Sequence, residues 1–135
     1  MKDSFDVDVV LFSLLKGSPA SMVINGGIYT GDDRPDDSEL EDIVIRNISL
    51  TQDCHPQTGV SNVNIYARDR EVTIFGRKQL KADRKRLDEL SKAVLQVLRD
   101  ARIAGFGLVI ENQTVLAEAS VKQHFTNIRV RMVLE

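Results

Sequence analysis

Cysteine is almost missing from this sequence, tryptophan is missing altogether, and there are only three prolines. The single Cys54 excludes an internal disulfide and a multi-cysteine zinc site, and the absence of disulfides suits a reducing compartment. An excess of one charge is also lacking. Eighteen Lys and Arg stand against 20 Asp and Glu, a net charge of −2, whereas a dedicated nucleic-acid binder is usually strongly basic. Long apolar runs are absent too. Stretches such as Val9–Phe12 and Leu108–Ile110 fall far short of the roughly 20 residues of a membrane-spanning helix, so no membrane partner is expected. The first residues carry acids (Asp3, Asp6) where a secretory signal carries bases, which points to a cytoplasmic protein. What remains is 135 residues, 42% hydrophobic and 28% charged: one globular domain over residues 1–135, with enough apolar material for a single core.

Hydrophobic periodicity orders that material. Ser4 is a plausible N-cap, and Val7, Val10, Leu11 and Leu14 recur at helical spacing until Gly17 and Pro19 stop the helix. Phe5, Val9 and Phe12 form a second apolar stripe, which reads either as a wide core face or as a flank that meets a partner. Met22-Val23-Ile24, Asn25-Gly26-Gly27 and Ile28-Tyr29 read as a tight hairpin. Residues 43–50 are β-rich, with an apolar phase shift that suggests a bulge near Arg46-Asn47. Residues 62–67 alternate as a half-buried strand. Val72, Ile74 and Phe75 read as a short strand or an anchored loop. The clearest helix starts near Ala82-Asp83 and ends before Gly105, with Leu87, Leu90, Val94, Val97, Leu98 and Ala101 on one face and i,i+4 opposite-charge pairs on the other. Strands follow at 106–117, bent near Asn112, and at 125–134. The order α-ββ-β-β-α-β-β predicts an α+β fold, an antiparallel sheet with two helices packed on one face.

Charge is balanced in total but segregated along the chain. Residues 31–42 carry seven acids and one base, and read as a solvated acidic loop; residues 68–86 carry eight bases and three acids. Both read as surface insertions on the single domain.

Motifs of catalysis are scarce. Cys54-His55 would need an oriented base to form an activated thiolate, and adjacent side chains on a loop usually diverge. A zinc site from Cys54, His55 and His124 would lack a fourth ligand and a recognisable spacing. The acidic loop misses the EF-hand pattern, and the glycines form neither a phosphate loop nor a nucleophile elbow. No catalytic, cofactor-binding or metal-binding residue is therefore assigned. A small bacterial α+β enzyme or ligand-binding domain, with a cleft near Cys54 and His55, is the alternative to a binding or assembly role.

The order of elements, with the words Val10-Leu11-Phe12-Ser13-Leu14-Leu15, Asn25-Gly26-Gly27-Ile28-Tyr29, Arg34-Pro35 before Asp42-Ile43-Val44-Ile45, and Asn62-Val63-Asn64-Ile65-Tyr66-Ala67, resembles the tail completion, or tail terminator, family of long-tailed bacteriophages. Residues 69–79 depart from it, being longer and more basic than the family's pattern. The resemblance implies a phage or prophage protein without enzymatic activity or cofactor. Such a subunit caps the tail tube at the head-tail junction, commonly in a hexameric ring. Its partners would be other copies of itself, the tail tube and head-connector proteins, with DNA passing through the lumen without sequence-specific binding. It would be cytoplasmic during assembly and then part of the virion tail neck. Candidate interface residues are Asp32, Asp33, Asp36 and Asp37 of the acidic loop, Arg68, Arg70, Arg84 and Lys85 of the basic segment, and Phe5 and Phe12 of the first helix. The acidic loop would pair with a neighbour's basic segment, line the lumen and repel DNA, or stay solvated.

Overall fold

The computed structural model describes all 135 residues and has an α+β fold. Its elements run α1 (Ser4–Lys16), α2 (Ala20–Val23), β1 (Ile28–Thr30), β2 (Ile43–Leu50), β3 (Gln57–Arg68), β4 (Arg70–Ile74), β5 (Arg77–Lys81), α3 (Arg84–Asp100), β6 (Phe106–Glu118), a 3-10 turn at Ala119–Val121, and β7 (Gln123–Leu134). Five strands form one sheet in the order β1-β2-β3-β7-β6, antiparallel except for the parallel β1–β2 pair. The remaining two, β4 and β5, pair only with each other. Both long helices pack on one face, α1 across β1 and β2, and α3 across β3, β7 and β6.

Local chemistry explains the helix ends. Asp3, not Ser4, caps α1: its side chain accepts from the Asp6 N–H at 2.9 Å, and the Asp6 carboxylate accepts from the Asp3 N–H at 2.9 Å. That reciprocal pair satisfies two donors at once, which Ser4 cannot do from inside the first turn. Val7, Leu11 and Leu15 are the buried stripe of α1, while Val10 and Leu14 are half-buried at its margin. Asp83 caps α3, accepting from the Arg86 N–H at 3.2 Å. The α3 core face is Leu87, Leu90, Ser91, Val94, Leu95 and Leu98, with Val97 at its edge. Of the expected ion pairs on its wet side, Asp88–Lys92 forms, at 3.0 Å. From the sheet, Ile43, Ile45, Val63, Ile65, Ala67, Phe106, Ile128, Val130, Met132 and Leu134 meet these helices. One polar pair sits in this layer, Ser91 Oγ donating to Thr126 Oγ1 at 2.9 Å.

The expected hairpin at Asn25-Gly26 does not form. Residues 20–23 are helical, and β1 runs parallel to β2. The Asn-Gly-Gly segment is instead tied to the start of β2. Glu41 N–H donates to Asn25 Oδ1 at 2.7 Å, Gly26 N–H to the Glu41 carbonyl at 3.0 Å, and Gly27 N–H to Asp42 Oδ1 at 2.8 Å. Glycine is needed at 26 for close approach: a Cβ there would collide with the Asp42 carboxylate and the Glu41 carbonyl. Parallel strands require a crossover of about a dozen residues, and the stretch 31–42 supplies it. It crosses the sheet face opposite the helices. The β2 bulge lies between Asn47 and Ser49, leaving Ile48 exposed, and β6 shifts register between Ile110 and Asn112, where a bend is expected.

Candidate assembly surfaces

The acidic crossover is anchored at both ends. Arg34 Nε donates to Asp42 Oδ2 at 2.8 Å, Ser38 Oγ donates to the same oxygen at 2.6 Å, and the second Arg34 nitrogen reaches Gln123 Oε1 at 2.6 Å. The guanidinium lies 3.8 Å from the Tyr66 ring centre, and Tyr66 in turn packs on Phe125. Burial pushes the Tyr66 phenol above its ordinary value, opposed by Arg34. Glu41 makes a second anchor, pairing with Arg86 Nε at 2.6 Å and Nη2 at 2.8 Å. The solvated reading of 31–42 therefore needs correction at its end: Glu41 and Asp42 are buried, because each has an arginine partner. Asp32, Asp33, Asp36 and Asp37 are exposed, and none makes an ion pair. Beside them, on the outer sheet face, lies an open cleft of about 490 Å³ bordered by Arg46, Ile48, Asn62, Asn64 and Tyr66. Asn62 Oδ1 in its wall is buried without a hydrogen-bond partner.

The basic segment divides into an arm and a helix start. Residues 70–81 are a two-stranded hairpin, not a single strand or loop, and it pairs only with itself. Phe75 (φ +50°) and Gly76 (φ +75°) form its two-residue turn, and both have the positive φ that such turns favour. At the base, Asp69 N–H donates to the Lys122 carbonyl at 3.0 Å and the Asp69 carboxylate contacts His124 Nδ1 at 2.6 Å. Arg68, Arg70, Arg77 and Lys81 are exposed without ion pairs, whereas Lys78 meets Glu71 at 3.7 Å. Arg84 and Lys85 are exposed in the first turn of α3, at the positive end of the helix dipole, where bases are unfavourable. Only Arg86 of that trio is offset by acids, Glu41 and Glu89, which hold its guanidinium above its already high ordinary pKa.

The two phenylalanines separate. Phe5 is 76% exposed, beside exposed Val9, so that part of the second α1 stripe faces solvent. Phe12 is half-buried against the core, with Lys16 Nζ 5.3 Å from its ring centre, and belongs to the wide core face rather than to a free flank. Seven residues is two helical turns, so Phe12 lies on nearly the same side of α1 as Phe5 but about 10 Å further along the helix.

Cys54 is exposed, and His55 makes no hydrogen bond that would orient it as a base. An open cleft of about 320 Å³ does lie there, between both residues, Met1, Gln57 and Leu134. His124 is remote from it. The β3–β7 ladder pairs Gln57 with Leu134 and Ala67 with His124, placing the two ends about 30 Å apart at ~3.3 Å per residue. Cys54, His55 and His124 are thus not brought together, and no three His, Cys, Asp or Glu side chains converge where they could hold a metal ion.

Compared with known proteins, the chain matches no protein-family model and no curated protein sequence. Two surfaces lay beyond sequence reasoning: the second strand of the arm, and the open edge of β6. The pair Phe75-Gly76 between Val72-Thr73-Ile74 and Arg77-Lys78-Gln79-Leu80 is the signal that marks the former.

Proposed function

We propose that this chain is a subunit of the tail completion or tail terminator type, which joins copies of itself head to tail into a ring at a phage head-tail junction, without catalysing a reaction. One observation carries the reading. The exposed, unpaired aspartates lie on the crossover that packs on one end of the outer face of the sheet, at Tyr66 and Gln123, while exposed, unpaired Arg84 and Lys85 start the helix on the other face. Complementary patches on opposite faces meet in a heterologous contact, and such contacts close into rings when the rotation allows. The order of elements, which resembles that phage family, supports the same reading. The unoriented His55 gives the alternative, an enzyme with a cleft near Cys54, no comparable support.

Charge reversal tests it, in the presence of phage tail tubes. Asp36→Lys with Asp37→Lys should weaken ring formation, and adding Arg84→Glu with Lys85→Glu should restore part of it, scored by electron microscopy of tube ends. Normal rings that retain DNA in a salt-dependent manner would place the acidic loop in the lumen instead. Unchanged rings without DNA retention would leave both patches merely solvated and remove the main support for the proposal.

A further inference from the structure

The β4–β5 arm and the β6 edge are the two features that the fold leaves incomplete. An isolated two-stranded hairpin is marginal in water, yet this one joins no other strand of its own chain, and only Val72 and Gln79 along it are even half-buried. Its turn holds a fully exposed phenylalanine, Phe75, at positive φ, a conformation costly for a bulky residue. At the same end of the sheet as the base of the arm, two strands away from Arg68, ends β6, a 13-residue edge strand. The opposite edge, β1, has three residues. From Glu111 to Ala117 every residue of β6 is exposed: on the helix side α3 leaves an open cleft between Arg84, Asp88 and Ser91 and the strand's Gln113 and Val115. Val115, on the helix side, is 43% exposed and Leu116, on the outer side, 47%. Edge strands are normally guarded by lysine or proline, and β6 has neither.

We propose that the arm of one copy lays β5 along the open β6 edge of a second copy and extends its sheet by one hairpin. Charge favours this pairing. Strand β5 carries no acid, and its Arg77 and Lys81 have no ion-pair partner while Lys78 meets Glu71; β6 carries no base, with Glu118 outside any ion pair and Glu111 held by Arg131 at 3.0 Å. Main-chain hydrogen bonds along the edge supply affinity, and Leu80 of the arm faces the exposed Val115 or Leu116 of the neighbour. The inference rests on the ring reading only for its premise that copies associate.

Disulfide trapping tests it. In a Cys54→Ser background, single-cysteine variants at Lys78, Gln79 and Leu80 are each mixed with variants at Gln113, Thr114 and Val115, oxidised mildly, and heterodimers are counted by mass spectrometry. Paired strands bring Cα atoms within disulfide reach at alternating positions. The expected result is a cross-link pattern alternating with residue number, at least tenfold above a Lys92→Cys control, and reduced about tenfold by adding Leu116→Lys to the β6 partner. Yields no higher than the control, from variants whose circular dichroism matches the parent, would overturn the arm-edge contact. Rings on tail tubes without these cross-links would keep the ring reading and discard the arm. Cross-links without rings on tubes would keep the arm and discard the head-tail assignment.

Discussion

Asp42 is fully buried, and its charge is tolerable only because Arg34, Ser38 and the Gly27 N–H all point at its carboxylate. Removing one partner of a buried ion pair strands the other, at a cost of about 3–5 kcal/mol. Arg34→Met keeps most of the aliphatic stem but loses the charge and the guanidinium that stacks on Tyr66, so it should destabilise by at least about that amount in a denaturant titration. A loss below about 1 kcal/mol would mean that water reaches Asp42. Glu41 is paired with a more exposed arginine, and Arg86→Met should cost less. Asp8 makes no ion pair. Its carboxylate accepts from the Asn47 N–H at 2.9 Å, but burial dominates and raises its pKa above the ordinary 3.8. With the folded value above the unfolded one, the proton is held more tightly in the folded protein. The stability this group adds is complete below pH 3.8 and is lost as pH rises through the raised folded value. Asp8→Asn keeps the acceptor and removes the titration. Its stability relative to the parent should therefore rise with pH across that window and then level off. A difference independent of pH between 3 and 7 would show that Asp8 is solvated.

Among the elements, α3 was the most legible. Its apolar residues repeat at helical spacing over 17 positions, and nothing in its environment competes with that pattern. Leu90 and Val94 are 1% exposed, while Lys92 lies on the wet side. Leu90→Ala should therefore cost about 2–5 kcal/mol and Val94→Ala somewhat less, whereas Lys92→Ala should stay within about 0.5 kcal/mol. Equal melting temperatures for all three would remove α3 from the core. The strands β3 and β7 were legible for the same reason: one face is buried, so alternation is strict. Asn25-Gly26 was misread because the glycine serves a close approach to Glu41 and Asp42, a long-range demand that leaves the same dipeptide as a hairpin turn. The arm was half-read because it buries little: Val72 and Ile74 alternate in β4, but β5 has only Leu80 among polar residues and lacks the alternation that marks the other strands. The candidate surface followed the same division. Charge counts located the acidic and basic segments, but which acids were buried depended on Arg34 and Arg86, partners eight and 45 residues from Asp42 and Glu41.

At the scale of the whole molecule, a net charge of −2 leaves little general repulsion between copies, so association is decided by local patches. Two kinds of contact are available to them, and salt acts on each differently. The exposed aspartates and the Arg84–Lys85 pair attract through water, with about 0–1 kcal/mol for each exposed pair. Screening lengths fall from about 10 Å at 0.1 M salt to about 3 Å at 1 M, so this contribution should fade over that range. The arm-edge contact draws on main-chain hydrogen bonds and on Leu80, Val115 and Leu116, which salt screens little. Raising sodium chloride from about 0.1 to 1 M should therefore lower the fraction of assembled rings at fixed protein concentration, measured by sedimentation velocity, while the 78–80 to 113–115 cross-links persist in the dimers that remain. The charge-reversed Asp36→Lys, Asp37→Lys variant should lose that salt response, since its attraction is already gone. Rings as abundant at 1 M as at 0.1 M would take the charge patches out of assembly. Cross-links that vanish along with the rings would show that the arm has no affinity of its own and only follows contacts made by the charged faces.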